Sequence, residues 1–186
     1  MKKVALILML GLLVTSLTGC STKTNREVTN DYTEEIVEKT VSDFGFKSEV
    51  ICEKGIINID SYSTLKGTAQ QIEEKLITNN IIVKNIEIGT SGDKIKVNYN
   101  LSDESFLLIW FNESETINSI TYTNEKEDTI RKISRILTSM SELNLPEEDR
   151  NRISDLDEDD GKVQFGNWNA ILTKDSAKYV FQITEI

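Results

Sequence analysis

Lys94-Ile95-Lys96-Val97-Asn98-Tyr99-Asn100-Leu101, followed after a four-residue break by Phe106-Leu107-Leu108-Ile109-Trp110-Phe111, is the stretch that decides the fold. In its first half Ile95, Val97, Tyr99 and Leu101 alternate with Lys94, Lys96, Asn98 and Asn100. Successive side chains of a strand point to opposite faces, so this period of two predicts a strand with one buried and one wet face. The second half is apolar at every position, which predicts a central strand covered on both faces. Residues 81–89 read as a strand before Ser91-Gly92-Asp93, and residues 117–123 as another after the turn at 112–116. Turns this short between successive strands favour an antiparallel meander.

Upstream, Leu65, Ala69, Ile72 and Leu76 recur at helical spacing, with Thr68 and Gln71 at capping-box spacing. Lys54-Gly55 lies between two β-rich runs, 47–53 and 56–62, as in a tight hairpin. A first helix is predicted over 31–44, with Tyr32, Ile36, Val37, Thr40, Val41 and Phe44 on one face and Gly45 as its stop. Downstream, Asn124 and Glu127 predict the start of a helix carrying Ile130, Ile133, Ile136, Leu137, Met140 and Leu143. Pro146 fits the first turn of a short helix through Leu156. Residues 163–173 and 178–186 read as a last strand pair, Gly166 marking a bulge. The order α-ββ-α-ββββ-αα-ββ is that of an α+β fold, an antiparallel β-sheet meander with three to four helices packed on one face. The domain spans 31–186. The helix-then-hairpin theme recurs and divides it into sub-units 31–124 and 125–186, without a residue-level repeat.

The chain has 186 residues, 38% apolar and 28% charged, a formal charge of −10 and no histidine. One ordinary globular domain fits these figures. The missing histidine excludes Ser-His-Asp and Cys-His nucleophile activation, imidazole base catalysis and every His-containing zinc site. Gly-rich phosphate loops, Cys-x-x-Cys pairs and Gly-x-Ser-x-Gly elbows are absent from the sequence.

Residues 1–20 begin Met-Lys-Lys, continue through an apolar run and end Leu17-Thr18-Gly19-Cys20. A basic start, a short apolar core and small residues before a cut site are the parts of a secretory signal. The ending resembles the lipobox of bacterial lipoproteins at all four positions. That resemblance implies that Cys20 carries a covalent diacylglycerol and that cleavage falls between Gly19 and Cys20. Residues 20–30, polar and aperiodic, would then be a flexible tether from the extracytoplasmic face of the cell membrane. Each buried methylene contributes about 0.8 kcal/mol, so two acyl chains hold where one exchanges. Loss of Lys2 and Lys3 with residues 1–19 moves the formal charge from −10 to −12. The sequence shows no basic stripe, which disfavours nucleic acid and electrostatic adhesion to anionic lipid.

Five smaller features bear on function. Cys52, in the alternating run Glu49-Val50-Ile51-Cys52-Glu53, reads as a buried core thiol. Asp155, Asp157 and Asp159 copy positions 1, 3 and 5 of a calcium loop, but Asp160 and Gly166 stand where glycine and a bidentate glutamate are needed. The plainer reading is a solvated acidic loop with at most a weak Ca²⁺ site. Ser63-Thr64-Leu65-Lys66 has the Ser-x-x-Lys spacing of acylating serines without companion motifs. Trp110, in the most apolar strand, reads as core. Trp168, between Asn167 and Asn169, is the candidate recognition residue. The expected function is a tethered domain that binds a protein, peptide or envelope component, with no cofactor beyond the covalent lipid. The competing classes are a histidine-free envelope hydrolase, using carboxylates or Ser63 and Lys66, and a purely structural or assembly lipoprotein.

Overall fold

In the computed structural model, residues 36–39, 44–56, 58–143, 145–156 and 161–186 are described. They hold nine strands: β1 Ile36–Lys39, β2 Glu49–Glu53, β3 Val83–Ser91, β4 Lys94–Leu101, β5 Phe106–Phe111, β6 Ile117–Asn124, β7 Lys162–Phe165, β8 Trp168–Asp175 and β9 Lys178–Glu185. Among the described residues there are three α-helices, α1 Ser63–Thr78, α2 Glu127–Thr138 and α3 Glu147–Ser154, and 3₁₀ turns at Ile59–Ser61 and Ser141–Leu143. The strands form a single sheet in the order β1-β2-β3-β4-β5-β6-β9-β8-β7. β3 to β6 make the antiparallel meander, whereas β2 and β3 run parallel. A parallel pair needs a long crossover, and the segment containing α1 supplies it.

The register lines up two rows of side chains across seven strands. Val50, Ile86, Tyr99, Leu107, Tyr122, Phe181 and Leu172 are successive partners in one row. Cys52, Ile88, Val97, Ile109, Ile120, Ile183 and Ala170 make the other. All fourteen are buried. Leu65, Ala69, Ile72 and Leu76 of α1 and Ile130, Ile133 and Leu137 of α2 join them in one hydrophobic cluster. The Tyr99 hydroxyl, sealed under α1, donates to the Ala69 carbonyl at 2.8 Å. Burial of this kind is worth about 1.5–3 kcal/mol per large apolar side chain.

Two carboxylates tie α1 to distant parts of the chain. The buried Glu73 accepts from the backbone N–H groups of Lys47 at 2.9 Å and Ser48 at 2.6 Å, just before β2. Glu115, from the β5–β6 turn, accepts from the N–H groups of Thr64 at 2.9 Å and Leu65 at 3.0 Å. The first turn of α1 is thus capped across the fold rather than by its own N-cap, Tyr62.

Several expectations are corrected. Ile36–Lys39 is not helix but an edge strand, paired antiparallel with β2; residues 31–35 and 40–43 lie outside the described residues. The apolar residues that suggested a helix, Ile36 and Val37, are β-branched and suit a strand equally well. The hairpin after Gly55 is absent: the chain turns at Gly55, φ +103°, into the 3₁₀ turn. α1 begins at Ser63, so Thr68 and Gln71 lie inside it and cap nothing. Asn124 is the last residue of β6, and its Oδ1 accepts from Lys126 N at 2.7 Å ahead of α2. Gly166, φ +54°, is not a bulge but half of the turn that splits the expected long strand into β7 and β8.

Candidate functional site: the second face of the sheet

The opposite side chains of the same strands form the second face of the sheet. Glu87, Asn98, Leu108, Thr121, Gln182 and Ile171 are successive partners across its middle. Asn100, Phe106 and Thr123 make a flanking row, and Lys96, Trp110 and Ser119 another. At the centre β5 presents Phe106, 38% exposed, with Leu108 and Trp110 half-buried. This apolar stripe corrects the expectation that β5 is covered on both faces and that Trp110 is core. Only Leu107, Ile109 and Phe111 of that strand are buried.

A polar network borders the stripe on the β3–β4 side. Asn100 Nδ2 donates to Asn85 Oδ1 at 2.6 Å and to Glu87 Oε1 at 2.7 Å. Asn98 Nδ2 donates to Asn100 Oδ1 at 3.0 Å, and Asn98 Oδ1 is buried without a hydrogen-bond partner among the described residues. Such a group is costly to leave unmade. Next to it the carboxylate of Glu53 lies over Gly89, accepting from Thr90 N at 2.8 Å and pairing with the Lys96 ammonium at 3.2 Å. A Cβ on Gly89 would sit 1.6 Å from Glu53 Oε1, so only glycine leaves room for that pair. On the other side Thr121, Thr123 and Gln182 make a neutral border. An apolar centre with a polar rim, charged on the β3–β4 side and neutral on the other, has the anatomy of a recognition surface.

Trp168 lies on the other face. It is 9% exposed, part of the core cluster, and borders a cleft of about 530 Å³ whose walls include Leu145, Pro146, Glu142, Asp149 and Glu185. Cys52 is fully buried on β2, as its alternation predicts. Ser63 and Lys66 share the first turn of α1; the Lys66 ammonium is held by Asp60, and Glu115 accepts from the N–H groups of Thr64 and Leu65 beside Ser63. Asp155 ends α3, 3.8 Å from Arg135; Asp157 and Asp159 lie outside the described residues, as do Gly19 and Cys20. Among the described residues no group of three or more Cys, Asp or Glu is gathered as a metal site.

A further polar cluster closes the end of the meander. Asp103 accepts from the hydroxyl of Ser105 and from Asn124 Nδ2 at 2.6 Å, and Asn124 Nδ2 also donates to the Tyr122 hydroxyl at 3.0 Å. Partial burial pushes the Asp103 carboxyl up, but the hydrogen bonds from Ser105 and Asn124 outweigh it and hold the group below its ordinary value. Burial raises the Tyr122 hydroxyl, and it raises Tyr99 further, with the nearby Glu73 charge acting in the same direction.

Taken alone, the all-apolar run of β5 carries no sign that its two faces differ. The signal lies next door. Lys96, Asn98 and Asn100 are the wet face of β4, and an antiparallel neighbour shares its faces, which places Trp110, Leu108 and Phe106 beside them. Among the described residues no helix is long and apolar enough to cross a membrane. No protein-family model, curated protein or solved structure matches this chain.

Proposed function

We propose that this protein is a lipoprotein held at the extracytoplasmic face of the cell membrane by Cys20, and that the second sheet face binds a protein, peptide or envelope component. In this reading the helices are confined to one face of the sheet, which leaves the other for a partner. The observation that carries it is the Phe106, Leu108 and Trp110 stripe at the middle of the sheet, bordered by Asn98, Asn100, Thr121 and Thr123. Large apolar side chains ringed by polar groups are where binding energy concentrates, and truncating a central tryptophan that is a hot spot costs about 2 kcal/mol or more of affinity.

Crosslinking on intact cells tests the surface. A discrete adduct is expected with the natural chain and its loss with Trp110→Ala combined with Leu108→Ser, while the unfolding midpoint stays within a few degrees. An adduct that survives the double change sinks the assignment of this face. Cys20→Ser tests the anchor: the protein should appear in the medium or remain unprocessed, and unchanged membrane retention of a processed chain overturns it.

A further inference from the structure

Four cations meet where the C-terminal end of α1 approaches α2. Lys75 comes from α1, and Arg131, Lys132 and Arg135 from α2; together with Asp128 and Ser139 they border an open cleft of about 480 Å³. The two helices fix the lysines reciprocally. Lys75 Nζ donates to the Ser139 carbonyl and hydroxyl, each at 3.2 Å, while Lys132 Nζ donates to the Asn79 carbonyl at 2.6 Å. Each ammonium therefore crosses to the carbonyl end of the other helix, where a positive charge is favoured. Arg131 is anchored by Glu127, through Nε at 3.0 Å and Nη2 at 2.6 Å, and by the Leu156 carbonyl at 3.0 Å. Arg135 is the loosest: among the described residues it pairs with Asp155 at 3.8 Å, and both side chains are well exposed.

The charge is out of keeping with the chain. A protein with 31 acidic and 21 basic residues sets four of its cations round one concavity whose described lining includes one acid, Asp128, while Glu127 and Asp155 reach Arg131 and Arg135 from beside it. An ammonium has three N–H donors and a guanidinium five, so Lys132 and Arg135 keep donors beyond the contacts described. Pre-positioned cations with spare donors in a concave site are the chemistry of anion capture, and the planar guanidinium fits a phosphate in two-pronged fashion.

We infer that this cleft binds a phosphate-bearing anion, with Arg135 and Lys132 as direct ligands, Lys75 as a third cation and Arg131 holding the wall. The phosphate could belong to a lipid headgroup or to a free small molecule; the chemistry at the cleft is the same. The test uses the full-length lipidated protein and follows the rate of amine acylation at Lys75 and Lys132 by mass spectrometry, with the exposed Lys84 as a control. In neutral detergent, sodium phosphate is titrated against sodium chloride at matched ionic strength. In vesicles, phosphatidylcholine alone is compared with phosphatidylcholine plus phosphatidylglycerol. Selective protection of Lys75 and Lys132 by inorganic phosphate assigns a soluble phosphate. Protection only where phosphatidylglycerol is present assigns the headgroup. Either arm should need about tenfold more ligand in Arg135→Gln, the loss expected for one charge-assisted hydrogen bond. Absence of protection in both arms, equal protection of Lys84, or protection unchanged in Arg135→Gln overturns the inference.

Discussion

A methyl group added at Gly89 tests how tightly the second face is built. The added Cβ would lie 1.6 Å from Glu53 Oε1 and 2.6 Å from Lys96 Cε, so the carboxylate must leave its bonds to Thr90 and Lys96. Gly89→Ala is expected to destabilise the fold by about 2–3 kcal/mol in urea unfolding, the cost of stranding a largely buried charged group. The same change made on Glu53→Ala should cost much less, because the space is then empty; additive costs in that double-mutant cycle sink the explanation. Glu73 is a parallel case with backbone partners. Glu73→Ala leaves the N–H groups of Lys47 and Ser48 without their acceptor, for a loss of about 2–4 kcal/mol, while Glu73→Gln keeps one acceptor oxygen and should lose less. Neither Glu53 nor Glu73 stood out in the sequence. Each occupies a slot where acidic residues are common, and what makes them structural is a donor 25 or more residues away.

At the level of strands and helices the two tryptophans exchange the roles that their local sequence suggests. Trp168 has polar neighbours, yet its partners in the register are Phe165 and Glu185 and its side chain joins the core. Trp110 sits among apolar residues, yet stands opposite Lys96 and Ser119 on the second face. Trp168→Ala should therefore cost about 3–5 kcal/mol of stability, the range for emptying a large core site, and Trp110→Ala far less. Iodide quenching of the two single-tryptophan proteins gives an independent check: Trp110 should be quenched the more strongly. Where period alone decides, the sequence reading and the structure agree: β4 runs over the expected residues, and the apolar face of α1 is the expected one although its start is not. It fails at β1, where β-branched residues satisfy both patterns, and at β7 and β8, where a glycine read as a bulge is a turn. The parallel pairing of β2 with β3, and the insertion of β9 between β6 and β8, follow from contacts between distant segments and leave no local mark. The cationic cleft is partly of the same kind: Arg131, Lys132 and Arg135 are close in sequence, but the cleft forms where Lys75 joins them from a distant helix.

For the molecule as a whole, the pH dependence of stability should be set at its two limits by tyrosines of the sheet and by Asp103 in the β4–β5 connection. Tyr99 lies sealed under α1 with its hydroxyl on the Ala69 carbonyl, and burial together with the Glu73 charge pushes it well above the ordinary 10.0. A proton held more tightly in the folded than in the unfolded chain gives stability that is complete below pH 10.0 and is lost as pH rises beyond it toward the folded value. Tyr122 acts in the same direction. Asp103 acts in the opposite one. Its carboxyl is held below the ordinary 3.8, so its contribution is present above that pH and fades as pH falls through the lowered value. Urea midpoints should accordingly be level through the neutral range as far as these groups are concerned and fall at each end, with a slope of at most about 1.4 kcal/mol per pH unit for each group. On the alkaline side, tyrosinate absorbance should show part of the tyrosine population ionising only together with unfolding. Tyr99→Phe cannot ionise, and although it loses the bond to Ala69 and starts from a lower midpoint, its alkaline limb should be shallower. If every tyrosine titrates freely before the fold is lost, the packing of α1 over β4 is not the tight seal from which these pH limits follow.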